Sequence, residues 1–138
     1  MKKINRLITV ALLISIALAV TVTSCKKDES NLTKKEMLTA KSWKILSSKS
    51  DGVADIIDDC QKDDFLNFAA SGAYTFNPGT NKCYSDDDTY SGTWSFSNDE
   101  KYLIVDGDSA KLVELSKSRF TISIVDGDYN YEATYVSF

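Results

Sequence analysis

The sequence predicts an all-β fold: an eight-stranded antiparallel up-and-down barrel with a short N-terminal helix. Three observations carry this reading. After Ala40 the apolar residues fall into short runs of period two. The runs are separated by turn residues, including Asp106-Gly107 and Asp126-Gly127, and Asp-Gly between alternating segments is a strong short-range hairpin signal. Nothing between the runs suggests a long crossover helix, so neighbours pair antiparallel. Such strands close most simply into a barrel, which removes exposed edges; a two-sheet sandwich is the competing arrangement.

The helix comes first. In "TKKEMLTAK" Thr33 stands as an N-cap with Glu36 three residues on, the spacing of a capping box. Leu38 marks its buried face. With barely two turns, it needs tertiary packing to persist. "SWKILSS" then sets Trp43 and Ile45 on one face, Lys44 and Leu46 on the other. A polar, acidic loop follows from residue 49 to 64, with Ile56 and Ile57 as its only bulky apolar pair. "FLNF" puts Leu66 with Phe68, "AASG" turns, and "AYTFN" puts Tyr74 with Phe76. After a second loop, "TYSGTWSFS" alternates most cleanly. Tyr90, Gly92, Trp94 and Phe96 face one way; Ser91, Thr93, Ser95 and Ser97 face the other. "NDEK" turns. The Asp-Gly-Asp segments at 106–108 and 126–128 join "YLIV" to "AKLVELS" and "RFTISIV" to "YNYEATYVSF" in two similar hairpins.

The N-terminus reads as a targeting segment. Lys2, Lys3 and Arg6 precede an apolar run of 16 residues, Leu7 to Val22. A permanent span wants about 20; this run suits a secretory signal. It ends in Val22-Thr23-Ser24-Cys25, which resembles the lipobox of bacterial lipoproteins and implies cleavage before a lipidated Cys25. The competing reading is an ordinary signal peptide with a chance cysteine. Lys27-Asp28-Glu29 resembles the surface-export signal of Bacteroidota lipoproteins; the alternative is a plain tether to the periplasmic leaflet. The expected organisation is a signal peptide over 1–24, a flexible tether over 25–32 and one domain over 33–138.

Three of the 16 basic residues and none of the 20 acidic ones lie in the signal, which leaves 13 against 20, a net charge of −7. Such a chain repels nucleic-acid phosphates. Histidine is absent, which removes Ser-His-Asp and Cys-His catalysis and His-ligated zinc. No cofactor is expected, and any enzyme would rely on carboxylates, tyrosines or lysines.

Beyond Cys25, two cysteines remain. In an oxidising compartment a disulfide between Cys60 and Cys83 is the default. Residues 64–68 and 72–77 form a hairpin whose turn centres near residue 71, so the two cysteines fall nearly opposite each other beyond it. A free thiol pair is the alternative. Asp58, Asp59, Asp63 and Asp64, with Asp86 to Asp88 brought near by the bridge, offer oxygen ligands for a divalent cation. They equally suit solvated loop acids and turn formers; the latter reading is preferred, with no metal.

The lipobox, a short helix ending near a tryptophan, "DDCQKDDFLNF", "SGAYTFNPGTNKC", "SGTWSFSND" and "LVELSKSRFTI" together resemble the lipocalin-like domain of Bacteroidota lipoproteins, over about residues 33–138. The resemblance implies an eight-stranded barrel of the calycin type and the Cys60–Cys83 bridge. In lipocalins proper a Gly-x-Trp motif marks the first strand; here Lys41-Ser42 precede Trp43, and the glycine is missing.

The leading expectation is a non-enzymatic, membrane-anchored outer-membrane lipoprotein that takes a small apolar or amphipathic ligand. Trp43, Tyr74, Trp94 and Tyr131 are the expected contacts, in a mostly filled barrel with a shallow mouth pocket. The alternative is a filled barrel whose acidic loops, Asp55 to Asp64 and Asp86 to Asp88, bind a basic protein partner. An open interior favours the first and a filled one the second. A carboxylate-dependent enzyme would need two acids facing each other inside a pocket.

Overall fold

The computed structural model describes residues 31–138. The targeting segment 1–24, Cys25 and the tether up to residue 30 lie outside the described residues. One helix, α1 (Lys34–Thr39), is followed by strands β1 (Ser42–Ser50), β2 (Val53–Ala54), β3 (Phe65–Phe68), β4 (Ala73–Asn77), β5 (Tyr90–Phe96), β6 (Tyr102–Val105), β7 (Asp108–Leu115), β8 (Arg119–Asp126) and β9 (Tyr129–Ser137). All pairs are antiparallel; β1 pairs with β3, and from β3 to β9 the strands pair in chain order. β1 and β9 then pair from Trp43↔Ser137 to Ser50↔Tyr131 and close the sheet on itself. The result is an eight-stranded barrel rather than a sandwich. β2 is a two-residue addition on β1, opposite Lys49 and Ser50.

The two ends differ. The base carries α1 and the turns at 69–72, 97–101 and 116–118. The mouth carries the turns at 51–52, 106–107 and 127–128 and the loops 55–64 and 78–89. The capping box forms as the sequence predicts: the Thr33 hydroxyl accepts from the Glu36 amide, and the Glu36 carboxylate accepts from the Thr33 amide. Leu38 is fully buried under the barrel. Trp43 Nε1 donates to the Leu38 carbonyl at 2.8 Å, and Lys34 Nζ donates to the Glu100 carbonyl at 2.6 Å. Tertiary contacts thus hold a helix too short to stand alone. Above it Trp43, Phe68, Trp94, Leu103 and Phe120 form the buried core. The Trp43 and Phe120 rings meet edge to face at 4.9 Å, a favoured aromatic geometry.

Two strands depart from strict alternation. Leu46 is an extra residue between Ile45↔Tyr135 and Ser47↔Thr134. It is 49% exposed, so it belongs to a bulge rather than to the face of Lys44. Beyond the bulge the buried position passes to Ser48. Val113 is the matching bulge in β7, between Leu112↔Ile122 and Glu114↔Thr121, and is also exposed. Bulges add local bend and twist, which a short closed barrel needs.

The two Val-Asp-Gly-Asp segments form different turns. In the first, Val105 pairs with Asp108, and Asp106 and Gly107 take φ of 51° and 97°, the pattern of a type I′ turn. In the second, the pairing is Asp126↔Tyr129, so Gly127 and Asp128 are central. Only Gly127 has positive φ, 59°, as in type II′. Asp51-Gly52 makes a further hairpin between β1 and β2, with φ of 52° and 80°, inside the segment read from sequence as loop.

Candidate functional site

The core fills only the lower part of the barrel. Above it a cavity of about 570 Å³ opens at the mouth, between the β6–β7 and β8–β9 hairpins. Phe68, Leu103 and Phe120 form its floor, Ile122 and Ala110 its wall, and Asp108 and Asp126 its lip. A cavity reaching the buried core is deeper than the shallow pocket predicted from sequence. The alternation does place large residues inside, but Ala110 leaves the β7 wall of the cavity thin. A second cavity, about 290 Å³, lies beside it under Gln61 and Asp64 of the mouth loop. Leu66, Tyr90 and Tyr135 line both and form the wall between them.

Three tyrosines give this apolar space its polar points. Tyr135 stacks on Phe120 at 4.5 Å, the rings 11° apart. Burial pushes its phenol pKa up, and Tyr131 and Tyr90 nearby push the same way. The hydroxyl makes no hydrogen bond among the described residues. Tyr90, at the mouth, stacks on Phe76 at 5.0 Å and stands edge-on to Tyr74. Tyr74 donates its hydroxyl to Asp106 at 2.7 Å.

Asp106 organises this corner. Its other oxygen accepts the Thr93 amide at 2.7 Å. The Thr93 amide first, then the Tyr74 hydroxyl, hold its carboxyl below the usual range. Reciprocally, the hydrogen bond to Asp106, with burial, pushes Tyr74 up to about 12. Gly92 lies opposite Tyr74, and a Cβ there would collide with the Asp106 carboxylate and the Tyr74 ring. Gly92→Ala is therefore expected to cost about 1–3 kcal/mol by overpacking and to drop the Tyr74 pKa from about 12 toward 10, read by phenolate absorbance. An unmoved pKa would show that the contact tolerates the methyl group.

The same pair gives a pH dependence at both ends. A lowered Asp106 pKa contributes stability that is present above 3.8 and lost as pH falls through the folded value. A raised Tyr74 pKa contributes stability that is present below 10 and lost as pH climbs toward about 12. Unfolding free energies measured against pH are expected to show a smaller acid loss in Asp106→Asn. In Tyr74→Phe the alkaline loss shrinks.

The expected contacts separate in space. Tyr74 lines the large cavity and Trp43 the adjoining one, although Trp43 is fully buried and tied to α1. Trp94 donates Nε1 to the Ala69 carbonyl at 2.9 Å and borders a shallow depression near α1, outside the large cavity. Tyr131 lines neither of the two mouth cavities. Tyr90, Tyr135 and Phe120 were not among the four expected contacts; all three stood in the alternating runs, but period two cannot tell a cavity wall from a filled core.

Cys60 and Cys83 form the disulfide, with Cα atoms 5.0 Å apart. The acids around it have local tasks. The Asp58 amide donates to Gln61 Oε1 at 3.0 Å and its carbonyl accepts the Gln61 amide at 2.9 Å, across the 3-10 turn Asp59–Gln61. Asp59 pairs with Lys62 at 2.5 Å. Asp63 accepts the Thr80 and Asn81 amides at 2.7 and 3.0 Å and so ties loop 78–89 to β3. These amides hold its carboxyl below the usual range. Asp87 accepts the Tyr84 amide, and Asp88 pairs with Lys82 at 3.4 Å. Asp64 lines the smaller cavity, and burial, then Asp63 and Asp87, push its carboxyl up. Among the described residues no group of three or more His, Cys, Asp or Glu is placed to hold a metal ion, and no helix is long and apolar enough to cross a membrane.

Residues 39–122 match the model of a family described as lipocalin-like domain. Among solved structures, a lipocalin-like protein from Bacteroides uniformis ATCC 8492 superposes with a TM-score of 0.51 at 15% identity, over 74% of this chain and 99% of that one. At that identity the likeness is one of fold. No curated protein matches the chain.

Proposed function

We propose that this chain, which belongs to the lipocalin-like domain family, is a non-enzymatic binding module that takes one small apolar or amphipathic molecule in its barrel mouth. The observation that carries this is the open cavity of about 570 Å³ with an aromatic and aliphatic floor, within the size range of small-molecule sites. A filled barrel would favour a protein-binding role through the acidic loops, and most of those loop acids are occupied in capping and clamping. Catalysis finds no support in the site. The cavity's two carboxylates, Asp108 and Asp126, are exposed on hairpin turns at the lip, not opposed in its interior.

The test is titration with an uncharged fluorescent probe, N-phenyl-1-naphthylamine. Saturable one-to-one binding is expected. Ala110→Phe, which projects a ring from the cavity wall, is expected to weaken it at least tenfold while circular dichroism stays unchanged. Binding that ignores the substitution would place the probe elsewhere, and no binding at all would overturn the reading.

The N-terminal features support a location at the envelope. The lipobox-like Val22-Thr23-Ser24-Cys25 supports an outer-membrane lipoprotein anchored through lipid on Cys25, and Lys27-Asp28-Glu29 supports the cell surface over the periplasmic leaflet. Mass spectrometry of the native protein is expected to find an N-terminal acylated cysteine, and Cys25→Ala to release the protein from the membrane. Protease treatment of intact cells separates the two leaflets.

A further inference from the structure

The polarity of the cavity is one-sided. Neither the large cavity nor its neighbour has a lysine or arginine in its lining, and their charged residues, Asp108, Asp126 and Asp64, are all acidic. Asp106 and Asp128 stand on the same two hairpin turns as the lip. Lys111 follows the inward Ala110 and is exposed on the outer face, and Lys49 pairs with Glu132 at 3.4 Å. The buried end adds a second observation. The rings of Tyr90, Tyr135 and Phe120 line the space.

Resting on the binding function proposed above, we propose that the site selects a cationic amphiphile, an apolar tail bearing a protonated amine, over a fatty acid. The tail lies on Phe68, Leu103 and Phe120. The ammonium sits at the lip, where Asp108 and Asp126 attract it and the Tyr90 face offers a cation–π contact. A carboxylate at the same depth would face only acids at the lip and phenols below, with no cation to neutralise it. Exposed ion pairs are individually weak, so the preference comes from two carboxylates and a ring acting together, of order tenfold.

The experiment uses three probes of equal tail length, dodecylammonium, dodecanol and dodecanoate, each displacing N-phenyl-1-naphthylamine below its micellar concentration at pH 7. The expected order is dodecylammonium, then dodecanol, then dodecanoate, with about tenfold between the first and last. Asp108→Asn with Asp126→Asn is expected to shrink that ratio to about twofold, with an unchanged circular dichroism spectrum showing that the variant is folded. Dodecanoate binding as tightly as dodecylammonium, or a ratio unmoved by the double substitution, would overturn the inference. So would a bound dye that none of the three displaces; all three results leave the binding function standing. Failure of the dye itself to bind overturns both.

Discussion

Replacing Trp43 with alanine is expected to destabilise the domain by about 3–5 kcal/mol, the range for removing a large buried aromatic side chain. The residue is 0% exposed. Its ring packs edge-on against Phe120, and its Nε1 is the donor that holds the Leu38 carbonyl at the end of α1. The loss thus has two parts, a cavity in the base and an unpartnered carbonyl where the helix docks. Trp43→Phe separates them. It keeps most of the packing and loses the hydrogen bond, at an expected cost of about 1–3 kcal/mol. Denaturant unfolding, followed by the fluorescence of Trp94, measures both. A domain of this size commands only about 5–15 kcal/mol in all, so the alanine variant should approach the limit of folding at 37 °C. A loss below about 1 kcal/mol would mean that the base of the barrel does not hold the structure.

The same residue shows how much of the fold was legible in the sequence. Alternation placed Trp43, Phe68, Tyr74 and Trp94 inside, and all four are buried. The Thr33–Glu36 spacing gave the helix start, and the symmetry of Cys60 and Cys83 about one hairpin gave the disulfide. These are local or nearly local signals. What escaped depends on the closed barrel. The bulges at Leu46 and Val113 shift the inward phase, and an apolar residue in an alternating run gives no sign that it is the extra one. Asp51-Gly52 carried a hairpin signal, but its second strand is only Val53–Ala54, too short to alternate. Asp106 looked like a turn former; that it also holds Tyr74 depends on β4 and the β6–β7 turn meeting across Gly92. The cavity escaped for a volumetric reason. A small residue such as Ala110 on the cavity wall helps decide whether a barrel is full, and no pattern of period two records volume.

Removing the disulfide by Cys60→Ser with Cys83→Ser is expected to cost about 3 kcal/mol in the chain-entropy model, for a loop with a sequence separation of 23. The effect acts on the unfolded chain, which regains the freedom of the whole β3–β4 segment. In the folded state the two mouth loops keep a second tie, because Asp63 still accepts the Thr80 and Asn81 amides. Stability and binding should therefore part company. No residue of loops 55–64 or 78–89 lines the large cavity, whereas Gln61 and Asp64 line the small one. The serine variant is expected to unfold at markedly lower denaturant, with a steeper slope because its unfolded chain is less compact, and to bind the uncharged dye within about twofold of the parent. The parent in reducing agent should match it. Equal losses of stability and of dye binding would show instead that the bridge shapes the cavity. The aspartates around Cys60 would then belong to the site and not merely to its scaffold. That outcome would revive the acidic loops as a binding surface, and salt-sensitive capture of a basic protein, lost when Asp55 to Asp64 and Asp86 to Asp88 become asparagine, would be the next measurement.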